Sequence, residues 1–127
     1  MDGHKIMTEF LSIGIGCSSR ATSEDVIQLI RSCVTELLPG TLLATLDRCA
    51  GVAEIVATSL GLKLMLYPAS ALAQVAGTTI HSTMALHRAG TPSVAEASAL
   101  LSLGPQARLI VPRQTGHLCT CAVAVLP

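Results

Sequence analysis

Short apolar runs alternate along this chain with stretches of helical period, and that alternation predicts the order of its elements. Phe10-Leu-Ser-Ile-Gly-Ile-Gly16 is apolar enough for an interior strand, and Gly14 and Gly16 let another group approach its backbone closely. Thr22 and Asp25 have the spacing of a capping box, and Val26, Ile27, Ile30, Cys33, Val34 and Leu37 recur at helical period behind them. A helix therefore begins near Thr22. Pro39-Gly40 turns the chain into a second strand, Leu42 to Leu46, which ends at Asp47-Arg48. Val52 to Leu60 reads as a short helix stopped by Gly61. Leu62 to Tyr67 follows as a third strand closed by Pro68, and Ser70 is placed to cap a short helix through Val75. Strands alternating with helices predict a largely parallel sheet covered on both faces.

The second half changes character. Ser82 is placed to cap a helix through Arg88, and Gly90-Thr-Pro sets up a fresh start at Ser93, where Glu96 completes the spacing of a second capping box. Arg108 to Arg113 and His117 to Leu126 then flank Gln-Thr-Gly, a combination that predicts a terminal antiparallel hairpin. The fold class expected is α/β with a mixed, mostly parallel sheet. No repeat or linker is visible, so residues 10–127 read as a single domain behind an N-terminal tail, residues 1–9.

Composition narrows the function. The 127 residues are 50% hydrophobic and 13% charged, with zero formal net charge, so the phosphate-neutralising excess of a general nucleic-acid binder is missing. Phe10 and Tyr67 are the only aromatics, too few for base-stacking platforms. A flat ligand would have to be held by aliphatic side chains, backbone amides and arginines. The N-terminus has no uninterrupted apolar region of the signal-peptide kind, and the uncharged run from 64 to 80 is broken by Pro68 and Gly77. A cytoplasmic protein without a membrane partner is expected. Its five cysteines, at 17, 33, 49, 119 and 121, form an odd set without disulfide-scaffold spacing. Cys119 and Cys121 alternate along a strand and share a face, which fits two small buried residues better than a metal site.

The loop Cys17-Ser-Ser-Arg20 carries the most distinctive chemistry. It leads from a buried strand into a capped helix whose free amides favour a carboxylate or phosphate, with the Arg20 charge beside them. Two readings stay open, an anion cradle and an ordinary strand-to-helix turn. In an open α/β sheet, ligands bind outside the carboxyl ends of the strands. That rule gathers Gly16 to Arg20, then Asp47 and Arg48, then Tyr67 and Pro68 at one edge. The alternative for Asp47-Arg48 is a loop with local surface contacts. Cys17 is a nominal nucleophile, since a helix N-terminus and Arg20 lower a thiol pKa, but nothing in the sequence places a base beside it. His4, His81, His87 and His117 are scattered without metal-ligand spacing and read as solvated loop residues, with a place facing a site as the alternative for His81 and His117, which lie near element ends. Glu96 is an acid that its capping role accounts for. Serine-hydrolase elbows and Walker loops are absent from the sequence.

Six segments in order, Gly14-Ile-Gly-Cys17, Thr22-Ser-Glu-Asp25, Leu43-Ala-Thr-Leu-Asp-Arg48, Tyr67-Pro-Ala69, Gly90-Thr-Pro-Ser-Val-Ala-Glu-Ala97 and Leu109-Ile-Val-Pro-Arg113, together resemble the CobE and CbiG C-terminal family of cobalamin biosynthesis. The likeness runs from about Leu11 to Val125. It implies a three-layer α/β/α fold and a role in building the corrin ring from precorrin intermediates, apolar macrocycles that carry many carboxylates. The site residues it implies are Gly16, Cys17, Ser18, Ser19 and Arg20, then Asp47 and Arg48, then Glu96 and Arg113. Relatives often have a basic residue where this chain has Cys49, and further basic residues where it has Gln114 and Thr115. CbiG opens a lactone on the macrocycle by hydrolysis, an activity not carried over, because neither a companion domain nor a nucleophile and base pair is recognisable. The expected role is to bind or chaperone a precorrin-type tetrapyrrole, with other corrin-pathway enzymes as partners and with no cofactor or metal. The alternatives are a small hydrolase or isomerase acting on such an intermediate, and a scaffold for a pathway methyltransferase that does not touch substrate.

Overall fold

A computed structural model describes residues 10–79 and 93–127. Strand β1 (Phe10–Cys17) leads to helix α1 (Ser23–Cys33), β2 (Leu42–Leu46), a 3-10 turn (Asp47–Cys49), α2 (Ala50–Leu60), β3 (Lys63–Tyr67) and α3 (Ala69–Thr79). After the undescribed stretch come α4 (Val94–Leu103), β4 (Arg108–Thr115) and β5 (Cys119–Leu126). The helix expected from Ser82 to Arg88, the tail 1–9, His4, His81 and His87 lie outside the described residues.

The five strands are ordered β3-β2-β1-β5-β4. β1, β2 and β3 run parallel, and β5 runs antiparallel to both β1 and β4. The α/β class with a mixed, mostly parallel sheet and a C-terminal antiparallel pair is thus the observed fold. Only β5 is reversed, so the C-terminal end of β4 falls at the same sheet edge as those of β1, β2 and β3.

Residues opposite one another on neighbouring strands share a face, and the two faces of this sheet differ in size. One carries Ile13 beside Leu43 and Val123, and Ile15 beside Cys121. Against it pack Val26, Leu29 and Ile30 of α1 with Ala53, Val56 and Ala57 of α2, forming the aliphatic core. The buried Thr45 hydroxyl is satisfied there by donating to the Ile15 carbonyl at 2.6 Å. The other face is a row of small residues, with Ala44, Gly14 and Ala122 in register, and Ser12 beside Ala124. Helix α4 lies directly on this row through Ala95, Ser98 and Ala99, all fully buried. A Cβ at Gly14 would fall on the Ala95 carbonyl oxygen and meet the Ala99 amide nitrogen at 2.9 Å. The close approach that Gly14 allows is therefore made by α4. Ser98 donates to the Ala44 carbonyl at 3.0 Å, and Ser102 to the Ser12 hydroxyl at 2.6 Å, so the dry interface leaves these hydroxyls paired.

Local chemistry explains most boundaries and corrects several expectations. The Thr22–Asp25 capping box forms with both reciprocal bonds, at 3.0 and 3.1 Å. Helix α1 stops at Cys33, short of the period that runs on to Leu37, because Val34 turns extended. Val34 and Leu37 still pack on the core from the loop, so burial did not require helix. The start of α2 is Ala50, since the 3-10 turn feeds the chain directly into it, and Gly61 ends it at a left-handed φ of 71°. Ser70 is not a cap, because α3 begins one residue earlier with the Pro68 carbonyl accepting from Ala71 and Leu72. β4 extends to Thr115. Its position at the sheet edge tolerates Pro112, beside which the register with β5 shifts twice. No helix among the described residues is long and apolar enough to cross a membrane.

The α4 contact sets a stability test. Gly14→Ala drives a methyl group into helix backbone, so it should cost at least the ~3 kcal/mol at the upper end of overpacking. Gly51→Ala, in a helix where the added Cβ meets nothing within 4 Å, should instead stabilise by about 0.4–1 kcal/mol. Urea denaturation of both variants checks the contrast.

Candidate functional site

The edge that collects the ends of β1 and β4 holds a shallow cleft of about 420 Å³, within the ~300–1,000 Å³ of small-molecule sites. Gly16, Cys17 and Ser18 form its floor, Ser93 and Val94 bring in the start of α4, and Arg113 and Thr115 line it from β4. The hairpin between β4 and β5 closes the remaining side with Leu118 and Thr120. The Ser18 N–H donates to the Leu118 carbonyl at 2.9 Å, which ties the β1–α1 loop to the hairpin tip. Gly16 is bare because the hairpin closes on it, since an added Cβ would sit 2.8 Å from the Thr120 hydroxyl.

Of the residues singled out in the sequence, the structure brings Gly16, Cys17, Ser18 and Arg113 together in this cleft. Glu96 adjoins them through its carboxylate, which accepts the Arg113 backbone N–H at 3.0 Å. That bond corrects the capping expectation. Ser93 does accept from the Glu96 amide at 3.0 Å, but Glu96 reaches across to β4 rather than back to the cap. Ser19, Arg20, Asp47 and Arg48 stand exposed at the same edge, outside the cleft lining. Arg20 and Arg48 leave neighbouring strands, β1 and β2, about 5 Å apart by ordinary sheet spacing. Ser18 has a local duty as well, since its hydroxyl accepts the Arg20 N–H at 3.1 Å and shapes the loop. Val94, Leu118 and Thr120 gave no signal in the sequence. Val94 enters with the first turn of α4, and Leu118 and Thr120 reach the site because β5 runs back along β1, with Cys119 opposite Cys17 and Thr120 opposite Gly16.

Charge at this edge is unevenly committed. The Asp25 and Glu96 carboxylates are occupied by backbone amides of Thr22 and Arg113. Among the described residues, no ion pair or hydrogen bond holds the guanidinium of Arg20, Arg48 or Arg113. Asp47 is exposed beside Arg48 at the same edge, so the three guanidiniums are open to an incoming carboxylate without an excess of positive charge there.

The cysteines are all free thiols. A helix terminus beside Arg20 would lower Cys17, yet the thiol is pushed up, because it is the hydrogen-bond partner of Cys49 in a buried site. Cys49 is held below the ordinary thiol value by that same bond, with help from the Thr45 hydroxyl and the Arg48 charge. Burial raises Cys119 and Cys121. Among the described residues, no cluster of three His, Cys, Asp or Glu side chains is placed to hold a metal ion. His117 is exposed at the hairpin tip, outside the cleft lining, and its charge acts on Asp25.

Asp25 gives the site a pH signature. The Thr22 backbone N–H holds its carboxyl below the ordinary 3.8, followed by the Thr22 hydroxyl bond and His117. A depressed folded pKa contributes stability above the unfolded value and loses it as pH falls through the folded value. Asp25→Asn should remove this part of the acid-side loss, leaving a flatter stability profile below about pH 4. Denaturation midpoints across acid pH measure it.

The sequence matches the family described as "Cobalamin synthesis G C-terminus" over residues 11–124. No functionally curated protein matches the chain significantly. Among solved structures, the cobalamin biosynthesis protein chiG from Agrobacterium tumefaciens str. C58 is 30% identical, with a TM-score of 0.68 over 90% of this chain and 96% of that one. CobE, a protein from the cobalamin (vitamin B12) biosynthetic pathway, is 26% identical with a TM-score of 0.74, covering 94% of this chain and 92% of that one. A likeness spanning nearly the whole of both folds, together with the family match, shows that the chain belongs to the CbiG C-terminal family of cobalamin synthesis proteins.

Proposed function

We propose that this chain works in the cytoplasm in corrin-ring construction, binding a precorrin-type intermediate and holding it between pathway enzymes. The observation that carries this reading is the set of three open guanidiniums at the carboxyl edge, Arg20, Arg48 and Arg113, of which Arg113 lines the cleft where the Glu96 carboxylate is bonded to a backbone amide. Precorrins present carboxylates around an apolar ring, and the arginine fork suits a carboxylate in two-point contact. A tetrapyrrole exceeds the cleft, so one edge of the ring seats against Val94 and Leu118 while a carboxylate meets Arg113. Arg20 and Arg48 lie outside the lining and act on carboxylates that project from the bound ring. Binding is favoured over turnover because the cleft thiol, Cys17, is a buried hydrogen-bond partner of Cys49, and no base stands beside it among the residues lining the cleft.

The first test is capture. A tagged copy produced together with the corrin-pathway enzymes should carry out a tetrapyrrole identifiable by absorbance and mass. A protein that emerges bare, yet bound to a pathway methyltransferase, would establish the scaffold instead. With the captured intermediate, Arg113→Ala should weaken binding by about 1.5–3 kcal/mol, roughly one to two decades, with little change in melting temperature. Arg113→Lys should recover part of that loss. Arg20→Ala and Arg48→Ala should mainly flatten the salt dependence, which calorimetry at two ionic strengths reads.

Cys17→Ser should support cobalamin production in a complementation assay at close to the parent level. A complete loss with fold and binding intact would favour the hydrolase or isomerase.

A further inference from the structure

Leu118 is the only described residue other than glycine with a positive φ, at 62°. For a leucine this left-handed conformation is costly, because Cβ crowds the following carbonyl, and glycine or asparagine would hold it more cheaply. The position is nevertheless overdetermined from both sides. The Leu118 carbonyl accepts the Ser18 N–H at 2.9 Å, and the preceding Gly116 donates to the Cys119 carbonyl at 2.8 Å. Gly116 itself lies against α1, where an added Cβ would meet the Leu29 side chain at 3.1 Å. The hairpin tip is thus fixed on α1 and on the β1–α1 loop, while the Leu118 side chain is left 36% exposed in the cleft wall. Three-residue hairpin loops place one residue in this region, ordinarily glycine, and a bulky residue held there at a cleft mouth points to a role for its side chain.

We infer that Leu118 is a specificity-determining residue of the cleft, an apolar shelf held by a strained backbone that contacts the ring edge of a tetrapyrrole whose carboxylate meets Arg113. This rests on the binding role proposed above and adds what the arginine cannot supply, discrimination between a carboxylate borne on an apolar ring and a carboxylate alone. Arg113 would hold either. Only the ring gains from covering Leu118.

The test uses Leu118→Gly and Leu118→Asn, both compatible with the left-handed region, with two probes, uroporphyrin and ring-free citrate. Both variants should keep or raise the denaturation midpoint, because the strain is relieved. Uroporphyrin binding should weaken roughly tenfold or more, as expected for losing the burial of a leucine side chain, while citrate binding stays unchanged. Equal uroporphyrin affinity in the variants and the parent would overturn the inference and leave the binding role standing. A lowered midpoint in both variants would also overturn it, since Leu118 would then serve packing. Absence of uroporphyrin binding by the parent overturns it too, whereas the binding role stands or falls on the capture experiment.

Discussion

The approach of α4 to β1 at Gly14 is the constraint on which the rest of the structure depends. Backbone meets backbone there, with the Ala95 carbonyl occupying the space that a side chain would take. Such proximity demands small residues on both partners, and it has them, in Ala44, Gly14 and Ala122 on the sheet and Ala95, Ser98 and Ala99 on the helix. It also demands that each buried hydroxyl be paired, which Ser98 and Ser102 achieve through Ala44 and Ser12. The aliphatic bulk is confined to the opposite face under α1 and α2. One close helix therefore covers most of one face, and its first turn is brought to the mouth of the cleft.

The location of the cleft follows from strand order. Chain direction reverses between β1 and β5, while β4 again runs with β1. Loops leaving β1 and β4 consequently flank a gap at the carboxyl edge, the setting in which open α/β sheets bind ligands. The Glu96 bond to the Arg113 amide ties α4 to β4 across this gap.

Much of this was legible in the sequence because the signals were local. The Thr22–Asp25 cap, the Gly61 stop and the alternation of elements each depend on neighbours in the chain, and each formed as written. What could not be read depended on partners far away. Glu96 had the spacing of a cap residue, but Arg113, 17 residues on, took its carboxylate. Cys17 had the setting of an activated thiol until Cys49, brought over by β2, came to lie beside it and donate to its carbonyl, and Cys49 with burial pushed the thiol up. Gly14 and Gly16 correctly announced a close approach, but a glycine does not say whether a ligand, a helix or a hairpin will fill the space. Leu118 and Thr120 were invisible for the same reason, since only the pairing of β5 with β1 carries them to the cleft.

A map of backbone amide shifts, recorded by NMR as the captured intermediate is added to the isotopically labelled protein, tests the central claim most directly. If the cleft at the ends of β1 and β4 is the binding site, the largest changes fall on Gly16 to Ser18, Val94, Arg113 and Leu118 to Thr120, with smaller ones at Arg20 and Arg48. Changes centred instead on the apolar hollow between α3 and α4, at Ala71, Leu100 and Ala107, or on the exposed edge of β3, would contradict the account and move the site away from the arginines.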